Sequence, residues 1–421
     1  MPLDVFQQVF FLSFASNLVN DFEGTQTALQ KALQLGLTSI LPVVVPGWRV
    51  VWGPVVWKDK PDEHTTGPEN SWYVAFHPSL KFEDGSVHPT YVIAIAGTPA
   101  ESDYVWINQN FGVGSVADFK VWVSGGIQNA AVVVPAKKIV PGTPYIARGT
   151  VNAVHLLLTT QAPEGAAGAG TTLLDFISSV DTSGNNRFIV TGHSLGGALA
   201  TSLALALVSA GLIPAHRALT YPTAGPSPGN RGFTDLFVET FPARKAAHAK
   251  SYQGWNLNLV NTLDIGPQAW CQIRSVSPEQ NLSNIPPIYG KPVLPLVLGI
   301  TVVLAFHAFG SGVVFYPLPG PRQYFTGPSP CTTPKTLKEF IQVFGQAHIY
   351  AYLEEVGIAL PALDKSQARA LGLKEKSEDE KLFNYPVIAE FEWAREHPEE
   401  AQKEIEKAEE TEEGKAFVSG E

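Results

Sequence analysis

Gly192-His193-Ser194-Leu195-Gly196 sets a serine between two glycines. A serine hydroxyl becomes a nucleophile only when a histidine takes its proton and a carboxylate fixes that histidine's tautomer. The Gly-x-Ser-x-Gly pattern is weak alone and takes its meaning from context. Here Phe188–Thr191 reads as a strand leading in, and Ala198–Ala210 as a helix leading out, apolar on all sides and therefore buried. A sharp strand-to-helix turn lifts the serine oxygen clear of the backbone, and flanking glycines leave room for it. The helix N-terminus then faces charge developing on an attacked carbonyl, with the Leu195 N–H as donor. A second copy, Gly225-Pro226-Ser227-Pro228-Gly229, fails. Pro228 has no N–H to donate, and no helix follows.

Where a nucleophile sits on such an elbow, as in α/β-hydrolases, the acid and then the base follow it along the chain. Asp264 lies just past the apolar run Leu257–Thr262, at a strand end. The competing Asp235 follows Gly232-Phe233 in what reads as a helix start, where an acidic side chain suits the helix dipole. Beyond Asp264 and outside the charged tail stand His307 and His348, and both are candidate bases. His193 adjoins the nucleophile, and its ring cannot reach back to the serine oxygen. It reads as a packed, hydrogen-bonded neighbour.

Val190-Thr191-Gly192-His193-Ser194-Leu195-Gly196-Gly197-Ala198-Leu199-Ala200 resembles the nucleophile block of the class 3 lipases, the fungal triacylglycerol lipase family. Three further blocks agree in order. Ile95-Ala96-Gly97-Thr98 with Asp103 resembles the oxyanion strand and loop. Tyr221–Pro226 with Gly229-Asn230 resembles the strand and loop after the nucleophile helix. Asn261–Asp264 with Pro267 resembles the strand end carrying the acid. The likeness spans roughly residues 70 to 355. It implies an oxyanion hole from Thr98 and Leu195. It also implies His348, in Gly345–Tyr350, as base, and His307 as a structural histidine. Ala96 departs from the family, which usually has arginine before the Gly-Thr pair. The implied activity is a serine carboxylic-ester hydrolase, a lipase cleaving acylglycerols at a lipid–water interface through an acyl-enzyme on Ser194. A phospholipase A1 or a feruloyl-type esterase shares that chemistry. A non-catalytic hydrolase-fold protein that binds lipid or a partner is the reading of a different class.

The elements that must position these groups follow from the whole chain. With 421 residues, 45% hydrophobic and 16% charged, the chain has enough apolar sequence for a sizeable core. Strands Arg49–Trp57, Ser71–Phe76 and Tyr91–Ala96 precede a helix at Thr171–Val180 and the elbow. Strand Ala218–Tyr221 follows. The alternation predicts a mainly parallel central sheet covered by helices on both faces, which with the elbow and the resemblance implies an α/β-hydrolase fold. One domain, 1–372, is expected to carry a lid region at about 108–149 and an apolar insert at about 286–330.

In the lid region Ser115 and Asp118 have capping-box spacing, Phe119 and Trp122 are the candidate lid or substrate-binding residues, and Gly125-Gly126 is a hinge. Within the insert, Pro292–Phe309 is interrupted by Pro295, Gly299 and His307, so no transmembrane span is expected. The tail, 373–421, carries almost all of the net charge of −10. The near-neutral remainder argues against a nucleic-acid surface.

The apolar run Val9–Phe14 lacks a basic start, so it reads as an amphipathic surface helix rather than a secretory signal. Secreted and cytoplasmic locations both fit. Cys271 and Cys331 read as two buried thiols. No metal or cofactor is implied, because histidines and carboxylates do not cluster with ligand spacing and no phosphate loop follows the first strand.

Overall fold

A computed structural model describes residues 2–99, 102–182, 184–318 and 323–376 of the chain. Its central sheet starts from three runs rich in β-branched and aromatic residues. They are β1 (Arg49–Trp57), β2 (Asn70–Lys81) and β3 (Val87–Ile95). Residues 58–69 and 82–86 connect them without a helix, so both pairs are antiparallel. β4 (Arg187–His193) and β5 (Ala218–Thr223) then add in parallel, each after a helical crossover. The five described strands run β1-β2-β3-β4-β5. The sheet is therefore mixed, which corrects the expectation of a mainly parallel one. Parallel pairing begins only where crossover helices begin.

Helices cover both faces. α1 (Val5–Ala15) and α2 (Gln26–Val44) pack on one face. α3 (Phe119–Ser124), α4 (Arg148–Thr159), α5 (Leu173–Ser179) and α6 (Leu195–Ser209) lie toward the other. β4 shows the division: Ile189 joins the α1–α2 cluster, while Phe188 and Val190 join the opposite one. A strand buried on both faces has no polar alternation to show.

α1 corrects the amphipathic-surface expectation. Val9, Phe10, Leu12 and Ala15 are wholly buried, and Asp4 with Gln7 closes a capping box at the start. A helix apolar all round finds no stable place at the surface. Each fully buried phenylalanine there contributes about 1.5–3 kcal/mol.

The 108–149 segment is tied down. Val116–Asp118, Val133–Val134 and Tyr145–Ala147 pair antiparallel in a second sheet with Gly229–Asn230 and Phe315–Tyr316. Ser115 precedes this strand and caps nothing. Asp118 caps α3 instead, accepting the Val121 N–H at 3.0 Å. α7 (Arg231–Thr240) follows the second sheet's strand Gly229–Asn230. The apolar insert forms α8 (Pro295–Phe309), without Asp, Glu, Lys or Arg. Among the described residues no helix is long and apolar enough to cross a membrane. α9 (Leu337–Gly345) and α10 (Ala351–Val356) complete the site's frame.

Lys374–Glu375 pairs with Phe22–Glu23, and Leu373 is buried, so the packed body runs past the expected boundary at 372. The rest of the acidic tail lies outside the described residues. Cys271 is buried, but Cys331 is exposed and both are free, which corrects the reading of two buried thiols.

One loop makes stability depend on pH. The buried Lys58 ammonium donates to the carbonyls of Gly24 (2.7 Å), Glu63 (2.7 Å) and Thr66 (3.0 Å), which organises residues 58–69. Beside it, burial pushes the Glu69 carboxyl up to about 7, against the opposing pull of the Asp59 N–H and of Lys58. A carboxyl raised on folding contributes stability that is present below its ordinary value of 4.5 and lost as pH rises through about 7. The melting temperature is expected to fall between pH 5 and pH 8, with a shallower slope in Glu69→Gln. Parallel melting curves for the two proteins check this; identical slopes would remove Glu69 as the source.

Candidate active site

β4 ends at His193 and α6 starts at Leu195, which leaves Ser194 at the corner with φ 59° and ψ −128°. A non-glycine residue rarely holds a positive φ, and a strained residue of this kind persists only where its surroundings over-determine it. Here they do. A Cβ on Gly192 would lie 2.1 Å from the Gly196 carbonyl oxygen, and one on Gly196 would lie 2.5 Å from that of Ile95. The Ser194 N–H donates to the Thr223 carbonyl at 2.9 Å, stitching the elbow to β5. Leu195 opens α6, so its N–H has no intrahelical acceptor.

Gly97-Thr98 leaves β3 directly beside this corner. A Cβ on Gly97 would sit 2.9 Å from the His193 carbonyl oxygen and 3.3 Å from the Ser194 Cβ, so glycine permits the approach. The Thr98 hydroxyl accepts from Asn110 Nδ2 at 2.9 Å. Asn110 ends a π-helical turn, Trp106–Asn110, anchored to β2 by reciprocal amide bonds between Gln109 and Asn70 (2.7 and 3.0 Å).

Asp264 is fully buried after the short strand Val260–Asn261. Its carboxylate contacts His348 Nδ1 at 2.8 and 2.9 Å, and accepts from the Tyr352 hydroxyl at 2.8 Å and the Gly266 N–H at 2.8 Å. His348 stands in a second π-helical turn, Gln346–Tyr350, between α9 and α10. Such turns swell a helix by one residue and recur at functional sites. The competitors are elsewhere. His307 is exposed on α8 against Gly114, and Asp235 is exposed on α7, 3.5 Å from Arg231. Ser227 is a buried loop residue whose N–H donates to Ala269.

A cavity of about 160 Å³ opens beside Ser194, lined by Thr98, Ser194, Gly266 and a mostly apolar wall. The His348 ring lies behind that wall, where a Cβ on Gly266 would meet it at 2.7 Å. It packs at a tilt against both Phe344 and His193, with ring centroids 4.8 Å apart in each pair. His193 is itself buried, which holds its pKa well below the ordinary value and keeps its ring neutral. Its Nδ1 lies 2.9 Å from the Thr223 hydroxyl.

Much of the wall comes from Trp106, Phe111, α8 (Val297, Ile300, Thr301, Leu304) and α9 (Phe340, Ile341). Phe119 and Trp122 do not contribute, which corrects the lid expectation. They are 1% and 4% exposed, and Phe119 packs edge-on against Phe233 in the helix-side core. A larger surface hollow of about 700 Å³ lies beside α3 and shares no residue with the Ser194 cavity. Among the described residues no His, Cys, Asp and Glu side chains group as metal ligands would.

Sequence reasoning missed Tyr352 and Asn110, and placed Asn261 in the acid's strand-end block without giving it a role. Tyr352 accepts the Asn261 N–H at 2.9 Å while donating to Asp264. Asn261 Nδ2 in turn donates to the Ala347 carbonyl, tying the acid's strand to the turn that carries His348. Each bond crosses 86 to 91 residues, so no local signal marks it.

The Lipase (class 3) family model matches residues 113–268, which include the elbow and Asp264. Among solved structures, M37 lipase is 21% identical, with 88% of this chain and 99% of that one covered and a TM-score of 0.61. At that identity the likeness shows the fold. A lipase from Rhizopus microsporus var. chinensis (15% identity, 62% and 69% covered, TM-score 0.36) overlaps too loosely to carry weight. So does the nonglycosylated lipase of Yarrowia lipolytica (14%, 62% and 72%, 0.37). No curated protein matches the chain by sequence.

Proposed function

We propose that this chain, whose residues 113–268 match the class 3 lipase family model, is a serine carboxylic-ester hydrolase that cleaves acylglycerols through an acyl-enzyme on Ser194. One observation carries the reading: the strained Ser194 lines an apolar cavity with Gly266, and the His348 ring of the Asp264–His348 pair packs directly behind Gly266 and against His193, the residue before Ser194. On this reading His348 takes the Ser194 proton as the hydroxyl attacks the ester carbonyl, and returns it to the departing alcohol. Asp264 holds the imidazole with its proton on Nδ1, leaving Nε2 to act as base. The N–H groups of Leu195 and Thr98 receive the oxyanion. Water then releases the acid by the same steps. Labelling by a fluorophosphonate tests the reading, together with release of fatty acid from a triacylglycerol emulsion. A chain that folds yet takes up no label is a binding protein.

The lid in this reading is α8. Its inner side faces the cavity through Val297, Ile300, Thr301 and Leu304, while Leu298 and Val303 are 48% and 39% exposed on the outside. An uncharged helix with apolar residues on both sides gains by meeting a lipid surface, which removes the outer ones from water. The rate on a partly soluble ester is expected to jump above its solubility limit. In Leu298→Ser/Val303→Ser the jump shrinks, while hydrolysis of dissolved short esters is retained. A smooth hyperbola through the limit would make this an esterase with an open site.

A further inference from the structure

We infer that Asn17, in the segment that leaves α1, is a positioning residue for the oxyanion turn Gly97-Thr98; the inference rests on the proposed role of that turn. Asn17 Oδ1 accepts the Gly97 N–H at 2.8 Å across 80 residues of sequence. The amide is oriented from its other end, where Nδ2 donates to the Ser13 and Phe14 carbonyls at 3.2 and 3.4 Å. Those carbonyls belong to the last turn of α1, where helix acceptors lack intrahelical donors. Asn20 closes the clamp. Its Nδ2 donates to Asn17 Oδ1 at 3.0 Å and to the Gly97 carbonyl at 3.4 Å. Both polar groups of Gly97 are therefore held by side chains from the N-terminal segment.

That segment is rigid enough to act as a reference. α1 is buried against the sheet, the Tyr73 hydroxyl donates to the Leu12 carbonyl at 2.8 Å, and the Phe14 ring packs at a tilt against His193, centroids 4.8 Å apart. The end of α1 thus touches both sides of the elbow, through Phe14 to the residue before Ser194 and through Asn17 to the turn facing it. Position 96 gives no such support. It holds a buried alanine, where the resembled family usually has arginine, so no side chain there donates or accepts. The support comes instead from residues outside the 113–268 family match.

Oxyanion donors are effective only when fixed before the charge develops, and a displacement of about 1 Å can cost about 10²-fold in rate. Asn17 touches the turn's backbone and not the substrate, so its loss is expected to fall on kcat. The test uses the full chain, with kcat normalised by fluorophosphonate titration of active sites. In Asn17→Leu, kcat on a dissolved nitrophenyl ester is expected to fall about 10- to 100-fold with KM within about twofold. Affinity for a boronic acid, which mimics the tetrahedral intermediate, is expected to fall by the same factor. A merely structural role would lower the melting temperature and leave both values per titrated site unchanged. That result would overturn the inference.

Should Asn17→Leu not fold, Asn17→Ser carries the same expectation. The serine hydroxyl is too short to reach Gly97, and an unchanged kcat overturns the inference there too. A wild-type chain without activity or labelling would instead sink the hydrolase reading. An active wild type with an equally active Asn17 variant sinks only the role given to Asn17.

Discussion

Ser194→Ala is expected to lower kcat by about 10⁴-fold or more, His348→Ala to do the same, and the double variant to lose no more than either. On the proposed mechanism the two act as one unit. Without the base the hydroxyl keeps its proton, and without the hydroxyl the base has nothing to activate. What survives is the contribution of binding and the oxyanion donors, about 10³–10⁴ over water. The geometry favours His348 over the other late histidine, since its Nδ1 lies 2.8 Å from a fully buried carboxylate while His307 is exposed on α8. Single-turnover hydrolysis of a nitrophenyl ester, with circular dichroism to verify folding, measures the effect. If His307→Ala abolishes turnover and His348→Ala does not, the base has been misassigned.

Legibility of this fold in the sequence divides along the range of the interactions. β1 was readable at its true limits, Arg49–Trp57, because valines and tryptophans on both sides of Gly53-Pro54 need no partner to be recognised. The elbow was readable because two glycines and an Ala/Leu helix are local necessities of one sharp turn. Strand direction was not. The antiparallel β1-β2-β3 start depends on connections whose lack of helix is an absence, easily outweighed by the clear alternation that follows. The burial of α1 is not legible in its short apolar run, because it depends on a sheet whose first strand begins only at Arg49. The lid expectation failed for a related reason. Phe119 and Trp122 on a Gly-flanked helix look alike whether they cover a cavity or fill a core. What decided it was the second sheet, whose partners at 229–230 and 315–316 no local pattern discloses.

The site shows the same division, and it explains why its supporting shell was missed. The residue types that perform chemistry have recognisable neighbours in sequence, whereas their supports need only be near in space. Asn17, Asn110, Asn261 and Tyr352 are common residues in unremarkable surroundings. Each becomes informative only when its partner is known. Tyr352 is the sharpest case, as the phenol oxygen both accepts the Asn261 N–H and donates to Asp264.

Comparing Asp264→Asn with Tyr352→Phe separates the chemistry from its scaffold. Asn at 264 keeps an oxygen that can accept from Tyr352 or Gly266, so the fold is expected to hold. Its NH₂ must then face His348 Nδ1, which forces the ring proton onto Nε2, the atom needed to receive the Ser194 proton. The wrong tautomer costs about 10⁴-fold in kcat in the template serine hydrolase, and a loss of that order is expected here. Tyr352→Phe leaves the carboxylate and the tautomer intact, so kcat should fall no more than about tenfold. Its cost is structural instead. The buried Asn261 N–H loses its acceptor and the carboxylate loses one of its donors, about 1–3 kcal/mol of stability for the unsatisfied group. Asp264→Asn is thus expected to show near-normal melting with little turnover, and Tyr352→Phe the reverse. Full turnover in Asp264→Asn would remove the carboxylate from the mechanism. Equal loss of turnover in the two variants, with melting unchanged, would mean that the phenol sets the state of the acid and belongs with the reacting groups.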